Sequence, residues 1–240
     1  MSFLGRALGM AIRATLCAVL GVLLLWAGLL VAYRWIDPPL TPLMVIRLFE
    51  HGRWSRTAMP LDRIAPDLVR AVVVAEDARF CRHHGVDWGE VGEALGEWRK
   101  GQGLRGASTI SMQTARNLFL WPGGGFARKA VEVPLALALD AFWPKRRTLE
   151  IYLSAIEWGE GIYGAEAAAR RHFGTSARAL QRRQAAALAA VLPSPRKWQA
   201  HPPGPHVVSR IATIEARMAD IDGYLGCLRR GGASQFPSGP

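Results

Sequence analysis

Residues 68–87, L-V-R-A-V-V-V-A-E-D-A-R-F-C-R-H-H-G-V-D, join an apolar run directly to a dense set of charged side chains. The apolar part, Leu68–Val74, is typical of a buried helix. It ends at the adjacent acids Glu76 and Asp77, and an aromatic residue, Phe80, follows. Acids that lie against apolar surface and near cations have pKa values that move up or down, and a carboxylate that acts as a base near neutral pH needs such a setting. The stretch predicts a catalytic Glu76 or, as the simpler interpretation, a helix end with two solvated acids.

The chain as a whole is strongly basic. Its 240 residues carry a formal net charge of +11, and the sequence pI is ≈ 10.5. This balance favours an anionic partner such as nucleic acid, a membrane surface or a phosphorylated substrate. The simpler interpretation is a soluble basic protein whose charge serves no such partner. The length allows one catalytic domain and an anchor.

An uncharged apolar run, Thr15–Tyr33, lies near the N-terminus. It is close to the roughly 20 residues that span a bilayer. Arg6 and Arg13 precede the run and Arg34 follows it, so the positive-inside rule favours a cytoplasmic N-terminus. The rest of the chain then lies outside the cytoplasm, which argues against nucleic acid as its partner.

We divide the chain by composition into five segments and expect the main domain to be mainly α-helical, because it shows no long strand-like alternation. The segments are a cytoplasmic N-terminus (1–14), a transmembrane helix (15–35), a membrane-proximal linker (36–59), the main domain (60–226) and a flexible tail (227–240).

Local signals place the elements of the main domain. The predicted helices are Arg63–Val74, Asp87–Trp98 with Asp87 as its cap, one near Phe126 with a kink or boundary at Pro134, Leu149–Ile156 capped by Thr148, Ala165–Phe173 stopped by Gly174, Leu180–Leu192, and Pro205–Ile221. Lys100–Gly106 is predicted to be a mobile loop and Gly159–Gly164 a turn. Cys81 and Cys227 either pair or stay free.

The stretch G-A-S-T-I-S-M-Q-T-A-R-N, Gly106–Asn117, predicts a helix N-terminus that binds an anion. Small residues before a helix let its free N–H groups approach a ligand closely. Ser108 and Thr109 add hydroxyl donors, and Arg116 adds a forked cation. The simpler interpretation is an ordinary Ser/Thr cap on a helix that runs to about Leu118.

A third stretch, R-K-A-V-E at residues 128–132, places an acid among cations. On a helix Arg128 and Glu132 share a face, and Lys129 lies close to it. A glutamate in this setting stays ionised, orients the cations or binds a divalent ion. The simpler interpretation is a surface salt bridge of little energetic weight.

Together these stretches resemble the peptidoglycan glycosyltransferases, a family of murein polymerases with a lysozyme-like helical fold. The family signature E-D-x-x-F-x-x-H-x-G-x-D matches residues 76–87, G-(G/A)-S-T-I-(T/S)-Q-Q-x-x-K-N matches 106–117, and R-K-x-x-E matches 128–132. A later stretch, 152–173, resembles the family's Y-L-N…G…G…A-A-x-x-Y-F. The chain departs from the usual Gln, Lys and Asn at Met112, Arg116 and Ser154. We expect no transpeptidase domain after this one.

The resemblance implies a glycosyltransferase that acts on lipid II, a disaccharide-peptide on undecaprenyl diphosphate, and on the growing glycan strand. It implies catalytic roles for Glu76, as general base, and for Glu132. The implied substrate-binding residues are Arg79, Ser108, Thr109, Gln113, Arg116, Arg128 and Lys129.

The resemblance also bears on cofactors, partners and location. No cofactor is required, but Glu132 is a candidate ligand for Mg²⁺ or Mn²⁺. Membrane lipid and proteins of cell division or elongation are expected partners. The expected location is the bacterial inner membrane, with a single span and a periplasmic catalytic domain.

Two other classes of function fit part of the sequence. A lytic glycosidase also places an acidic glutamate in a helical cleft. The cations of the second and third motifs argue against it, because cleavage of a sugar–sugar bond needs no diphosphate site. A membrane-tethered scaffold without catalysis is the third class.

Overall fold

A computed structural model of the chain describes residues 3–52, 54–101 and 106–229. The chain divides after Asp37 into two compact units. The centre of the predicted mobile loop (102–105) and nearly all of the predicted flexible tail lie outside the described residues.

The first unit is one long apolar helix, α1 (Phe3–Ala32). Within it Gly9–Ala32 has a mean hydropathy of 2.5, and only 6% of its most apolar window is buried. The helix is therefore long and apolar enough to cross a membrane. It begins well before Thr15, so the predicted segment 1–14 is largely the first part of the same helix; the membrane boundaries stay a prediction.

The second unit is mainly α-helical, as the sequence predicted. Its helices are α2 (Pro42–His51), α3 (Pro66–Glu76), α4 (Trp88–Arg99), α5 (Ile110–Phe119), α6 (Gly125–Phe142), α7 (Lys145–Ala155), α8 (Ala165–Phe173), α9 (Arg182–Val191) and α10 (Pro205–Arg217). Three short strands complete it: β1 (Ser55–Arg56), β2 (Glu157–Gly159) and β3 (Ile162–Tyr163).

Two groups of packed helices hold the site. In the first, α3 packs on α9 and α10; in the second, α5 packs on α6 and α7. Helix α3 buries Leu68 and Val69 and the run 71–74, while α9 buries a row of alanines whose small side chains allow close approach. The C-terminal end of α3 and the N-terminal end of α5, where the acid pair and the predicted anion site lie, are thereby held by the core.

The small sheet has the order β1-β3-β2, with β1 parallel and β2 antiparallel to β3. The predicted turn Gly159–Gly164 is in fact the end of a hairpin that joins β2 to β3. Gly164 follows β3 at φ +88°, and a Cβ there would lie 2.6 Å from the Thr57 carbonyl oxygen. Only glycine fits this close approach.

Some predicted helix ends hold and others do not. Asp87 caps α4 by accepting hydrogen bonds from Gly89 N–H and Glu90 N–H, and α8 ends at Gly174 as expected. The prediction that Thr148 caps a helix is wrong, because Pro144 precedes α7 in extended conformation and starts it one turn earlier. Pro134 lies within the continuous helix α6 and marks no boundary.

The C-terminal segment is fastened to the core beside the acid pair. Cys81 and Cys227 form a disulfide across 146 residues, which decides between the two predicted alternatives. Arg70 of α3 donates to Asp222 through Nε, at 2.6 Å, and again through Nη2, at 3.1 Å. Helix α10 itself ends at Arg217, earlier than the predicted Ile221.

Candidate active site

Glu76 is the last residue of α3 and is partly buried. Its Oε2 accepts a hydrogen bond from Nε2 of Gln113 at 2.9 Å. Burial raises the pKa of Glu76, and the negative charge of Asp77 adds to that rise, while the Gln113 bond and the positive charges of Arg210 and Arg116 oppose it. A carboxylate with a raised pKa is suited to accept a proton near neutral pH.

Asp77, although adjacent, holds the structure together. Its buried carboxylate accepts the N–H of Ile110, the first residue of α5, at 2.9 Å. It also lies 2.9 Å and 3.0 Å from Nε2 of His83. Both acids line one cavity, but their partners differ, since Asp77 is held by His83 and a backbone N–H while Glu76 accepts from the neutral amide of Gln113.

The predicted anion site at the start of α5 is already filled by protein groups. Asp77 takes the first N–H of the helix. Thr109 is a buried N-cap that accepts from Met112 N–H at 3.1 Å, and its hydroxyl donates to the Gly85 carbonyl at 2.5 Å. The hydroxyl hydrogen of Thr109 is therefore used internally, and the simpler interpretation, an ordinary cap, describes this residue correctly.

Gly85, to which Thr109 donates, fixes the distance between this cap and α6. It has φ +73°, and a Cβ would lie 2.6 Å from the Ala136 carbonyl oxygen. The motif glycine thus lets the segment after the acid pair press against the helix that carries the third motif.

The basic motif at the start of α6 forms a compact cluster around Glu132. This carboxylate is only 1% exposed. Arg128 forms an ion pair with one of its oxygens, and Nζ of Lys129 lies 3.1 Å from the other. Lys129 also donates to Oγ of Ser108, which joins the second motif to the third.

Arg116 of α5 connects the acidic and basic parts of the site electrostatically. It attracts Glu76, and it repels both Arg128 and Lys129. Burial is the main cause that lowers the pKa of Arg116 and the pKa of Arg128. Burial and the two arginines lower the pKa of Lys129 to about 8. Three crowded cations with lowered pKa values form a site that an anion would stabilise.

Gln113 links the residues of two cavities. One, of about 280 Å³, is lined by Glu76, Ser108 and Arg79 among others. The other, of about 550 Å³, is lined by Gln113, Arg116 and Arg128 among others. Gln113 faces the larger cavity and hydrogen bonds to the glutamate of the smaller one, so the predicted base and the predicted cations lie on two sides of one side chain.

Arg79 lies at the edge of the smaller cavity. Its side chain is half exposed, and its Nε is 3.3 Å from Oδ2 of Asp87. This exposed position allows contact with a substrate, and its predicted binding role stays a prediction.

The residues around Glu132 do not fit the divalent ion considered from the sequence. Both oxygens of this carboxylate face protein cations. Within residues 3–52, 54–101 and 106–229, no group of three His, Cys, Asp or Glu side chains is arranged to hold a metal. Mg²⁺ and Mn²⁺ favour several oxygen ligands, which this cluster does not offer.

Two site residues escaped the sequence analysis. Tyr152 of α7 belongs to the late motif stretch, but only the fold brings its hydroxyl to Gln113. Arg210 of α10 acts on Glu76 from a helix more than one hundred positions later. It donates from Nε to the Ala190 carbonyl and lies over the Trp198 ring. No local signal marked it.

A half-buried carboxylate with a raised pKa, and a cluster of three cations beyond its Gln113 partner, are features expected of an acid–base enzyme whose substrate carries an anionic group. The chain belongs to the transglycosylase family, whose sequence model matches residues 44–219.

Proteins called biosynthetic peptidoglycan transglycosylase are similar to nearly the whole chain. The one from Rhodospirillum centenum is 50% identical over 220 residues, covering 90% of this chain and 95% of its own length. Those from Caulobacter vibrioides and Rhizobium meliloti are 44% and 48% identical, covering 94% and 90% of this chain and 100% and 92% of their own lengths.

Proposed function

We propose that this protein is a peptidoglycan transglycosylase that polymerises lipid II into β-1,4-linked glycan strands and releases undecaprenyl diphosphate. The observation that carries the proposal is the cavity lined by Gln113, Arg116 and Arg128, because the amide of Gln113 donates to Glu76. Arg128 and its neighbour Lys129 both contact Glu132. One sugar diphosphate could therefore meet a base and a set of cations together.

Glu76 is the general base of the proposed reaction. Its carboxylate takes the proton from the 4-hydroxyl of the acceptor's GlcNAc while that oxygen attacks the anomeric carbon of the donor. The new C–O bond forms as the bond to the diphosphate breaks, and the electron pair leaves with the phosphate oxygen. Attack opposite the leaving group inverts the α configuration to β. The raised pKa of Glu76 supports this role, because it brings the base closer to neutral pH.

Cations handle the leaving group. A diphosphate leaves without protonation when positive charge stabilises the charge that develops on it, so no carboxylic acid is needed there. Arg116, Arg128 and Lys129 supply this charge, and Ser108 contacts the lysine. Glu132 holds Arg128 and Lys129 in place through one ion pair with each. Its two ion pairs support an orienting role rather than a second acid at the reacting bond.

We also propose that α1 anchors the chain in the bacterial inner membrane with the catalytic domain in the periplasm. The apolar stretch Gly9–Ala32 supports the anchor. The Cys81–Cys227 disulfide supports the compartment, because disulfides persist in oxidising compartments such as the periplasm and are rare in the cytosol. Lipid II is used in the outer leaflet, so substrate and site would share one side. Proteins of cell division or elongation stay expected partners.

The test compares wild type, Glu76→Gln and Glu215→Gln on labelled lipid II and, separately, on intact sacculi. Glu215 is a matched control, since it is a glutamate of α10 that pairs with Arg183. We expect polymer from wild type and Glu215→Gln and about 10³-fold slower polymerisation by Glu76→Gln. Soluble muropeptides from sacculi, without polymer from lipid II, would show that the protein is a lytic glycosidase instead. No product from either substrate would indicate a scaffold without catalysis.

A further inference from the structure

Tyr152 is linked to Glu76 through one side chain. Tyr152 is fully buried, at 0% exposed, and its hydroxyl lies 3.1 Å from Oε1 of Gln113. At the other end of the same amide, Nε2 lies 2.9 Å from Oε2 of Glu76. The three side chains come from α7, α5 and α3, so the link exists only in the folded domain.

The direction of these hydrogen bonds is fixed by chemistry. Burial and the nearby charge of Glu76 raise the pKa of Tyr152 well above its ordinary value, so the phenol keeps its proton. A phenol O–H next to an amide oxygen donates to it. With its oxygen held by Tyr152, Gln113 can present only its N–H₂ group to Glu76. The opposite orientation of the amide would place its oxygen against a carboxylate.

We propose that Tyr152 is a positioning residue that acts on the general base through Gln113. It holds the amide so that Gln113 always donates to Oε2 of Glu76, which leaves Oε1 for the acceptor's hydroxyl. The expected effect of Tyr152 on the polymerisation rate rests on the proposed function. Its expected effect on the pKa of Glu76 does not. It gives Gln113 a role inside the protein in addition to its predicted contact with substrate.

Packing alone does not account for the Tyr152 hydroxyl. A second tyrosine, Tyr163, lies in a separate apolar cluster with Met44 and Ala155. It is 0% exposed, and within the described residues its hydroxyl has no hydrogen-bond partner. The hydroxyl of Tyr152, unlike that of Tyr163, therefore has a protein partner, and that partner is the residue that contacts the base. The contact between Tyr152 and Gln113 is specific to the position next to the base.

Other charged groups that face Glu76 stay unchanged when Tyr152 is altered. These are Asp77 on the same helix end, Arg116 of α5 and Arg210 of α10. Loss of the phenol hydroxyl removes the donor that holds the Gln113 oxygen, so the amide is held at its Nε2 end alone, by Glu76 and the Ser108 carbonyl. The hydrogen bond from Gln113 that favours ionised Glu76 is then less well aligned and weaker. The pKa of Glu76 should then rise.

The decisive measurement is a titration of the Glu76 carboxyl by ¹³C NMR in the full-length, detergent-solubilised protein. We expect Tyr152→Phe to give Glu76 a pKa higher by about 0.5 to 1 than in wild type. Tyr163→Phe is the matched control and should leave it unchanged. In a Gln113→Met background, Tyr152→Phe should add nothing further, because the link is already cut. An unchanged pKa in Tyr152→Phe, or an equal effect with and without Gln113, would overturn the inference.

Kinetics on lipid II separates this inference from the proposed function. We expect Tyr152→Phe to lower kcat about tenfold with KM within about twofold, and the acid limb of its pH profile to move to higher pH. Thermal unfolding of both tyrosine variants reports any general loss of stability. If wild type makes no polymer while the Glu76 pKa responds as predicted, the positioning role stands and the proposed function falls. If wild type polymerises and the Glu76 pKa does not respond, the reverse holds.

Discussion

Glu76 and Glu132 lie on two sides of the same site, and different side chains surround them. Glu76 has one close neutral partner, Gln113, and burial raises its pKa. Glu132 is the more deeply buried of the two, at 1% exposed, yet two cations contact it. The family resemblance implied catalytic roles for both residues. The comparison teaches that burial alone does not make a glutamate a base, because its partners decide whether its charge is available to a substrate.

The largest expected effect is that substitution of Glu76 lowers activity alone, whereas substitution of Glu132 lowers both activity and stability. Glu76→Gln should abolish most activity while the thermal midpoint stays within a few degrees of wild type, because a neutral amide suits its surroundings. Glu132→Gln should lower activity and also lower the free energy of unfolding by about 2 kcal/mol, because Arg128 and Lys129 lose their counter-charge. Polymerisation assays and thermal unfolding of the same preparations provide the measurement. Equal stability losses in both variants would remove the distinction.

A second, smaller effect is expected in the pH dependence. The raised pKa of Glu76 means that the base form appears at a higher pH than for an ordinary glutamate. The lowered pKa of Lys129, about 8, means that one cation is lost above that pH. The value of kcat/KM should therefore rise as Glu76 ionises and fall as pH passes about 8. Lys129→Arg keeps the charge at high pH and should remove the alkaline limb.

This prediction is checked by pH profiles of wild type and Lys129→Arg on lipid II. Lys100→Arg is a suitable control, since Lys100 is an exposed lysine that lines neither of the two cavities of the site. An alkaline limb that persists unchanged in Lys129→Arg would assign that limb to another group and weaken the proposed role of the cluster.

The smallest effect is expected for the exposed ion pair at the rim. Arg79 is half exposed, and Asp87 keeps two backbone N–H donors without it. Arg79→Ala should change the free energy of unfolding by no more than about 0.5 kcal/mol. Denaturant unfolding measures this directly. A loss as large as that of Glu132→Gln would mean that exposure does not separate the two kinds of ion pair.

Much of the fold follows from local signals in the sequence. The cap at Asp87 and the stop at Gly174 are correct because side-chain caps and left-handed glycines act within one turn of the helix. The prediction at Thr148 is wrong because a hydroxyl side chain can cap a helix but also occurs inside one. Pro144, which precedes α7, was the stronger signal for the start of the helix. The family motifs also point to Glu76 and to the cations of α6, whose catalytic and binding roles stay predictions.

The parts of the site that could not be predicted depend on contacts between distant segments. Thr109 looked like a donor to substrate, and its true partner, the Gly85 carbonyl, comes from another loop. Tyr152 contacts the Gln113 amide, and the charge of Arg210 opposes the rise in the pKa of Glu76. The helices that carry them show no periodic or capping signal for such a role. The pairing of Cys81 with Cys227 is likewise a property of the folded core and not of the spacing in the chain.

That disulfide makes the active-site segment depend on a late part of the chain. Cys81 lies five positions after Glu76, and its partner follows 146 residues later. If the domain is exported as proposed, this bond cannot close until Cys227 has crossed the membrane and met an oxidant. The catalytic segment would therefore be locked in place only after translocation of the domain, which keeps immature chains from carrying a finished site on the wrong side of the bilayer.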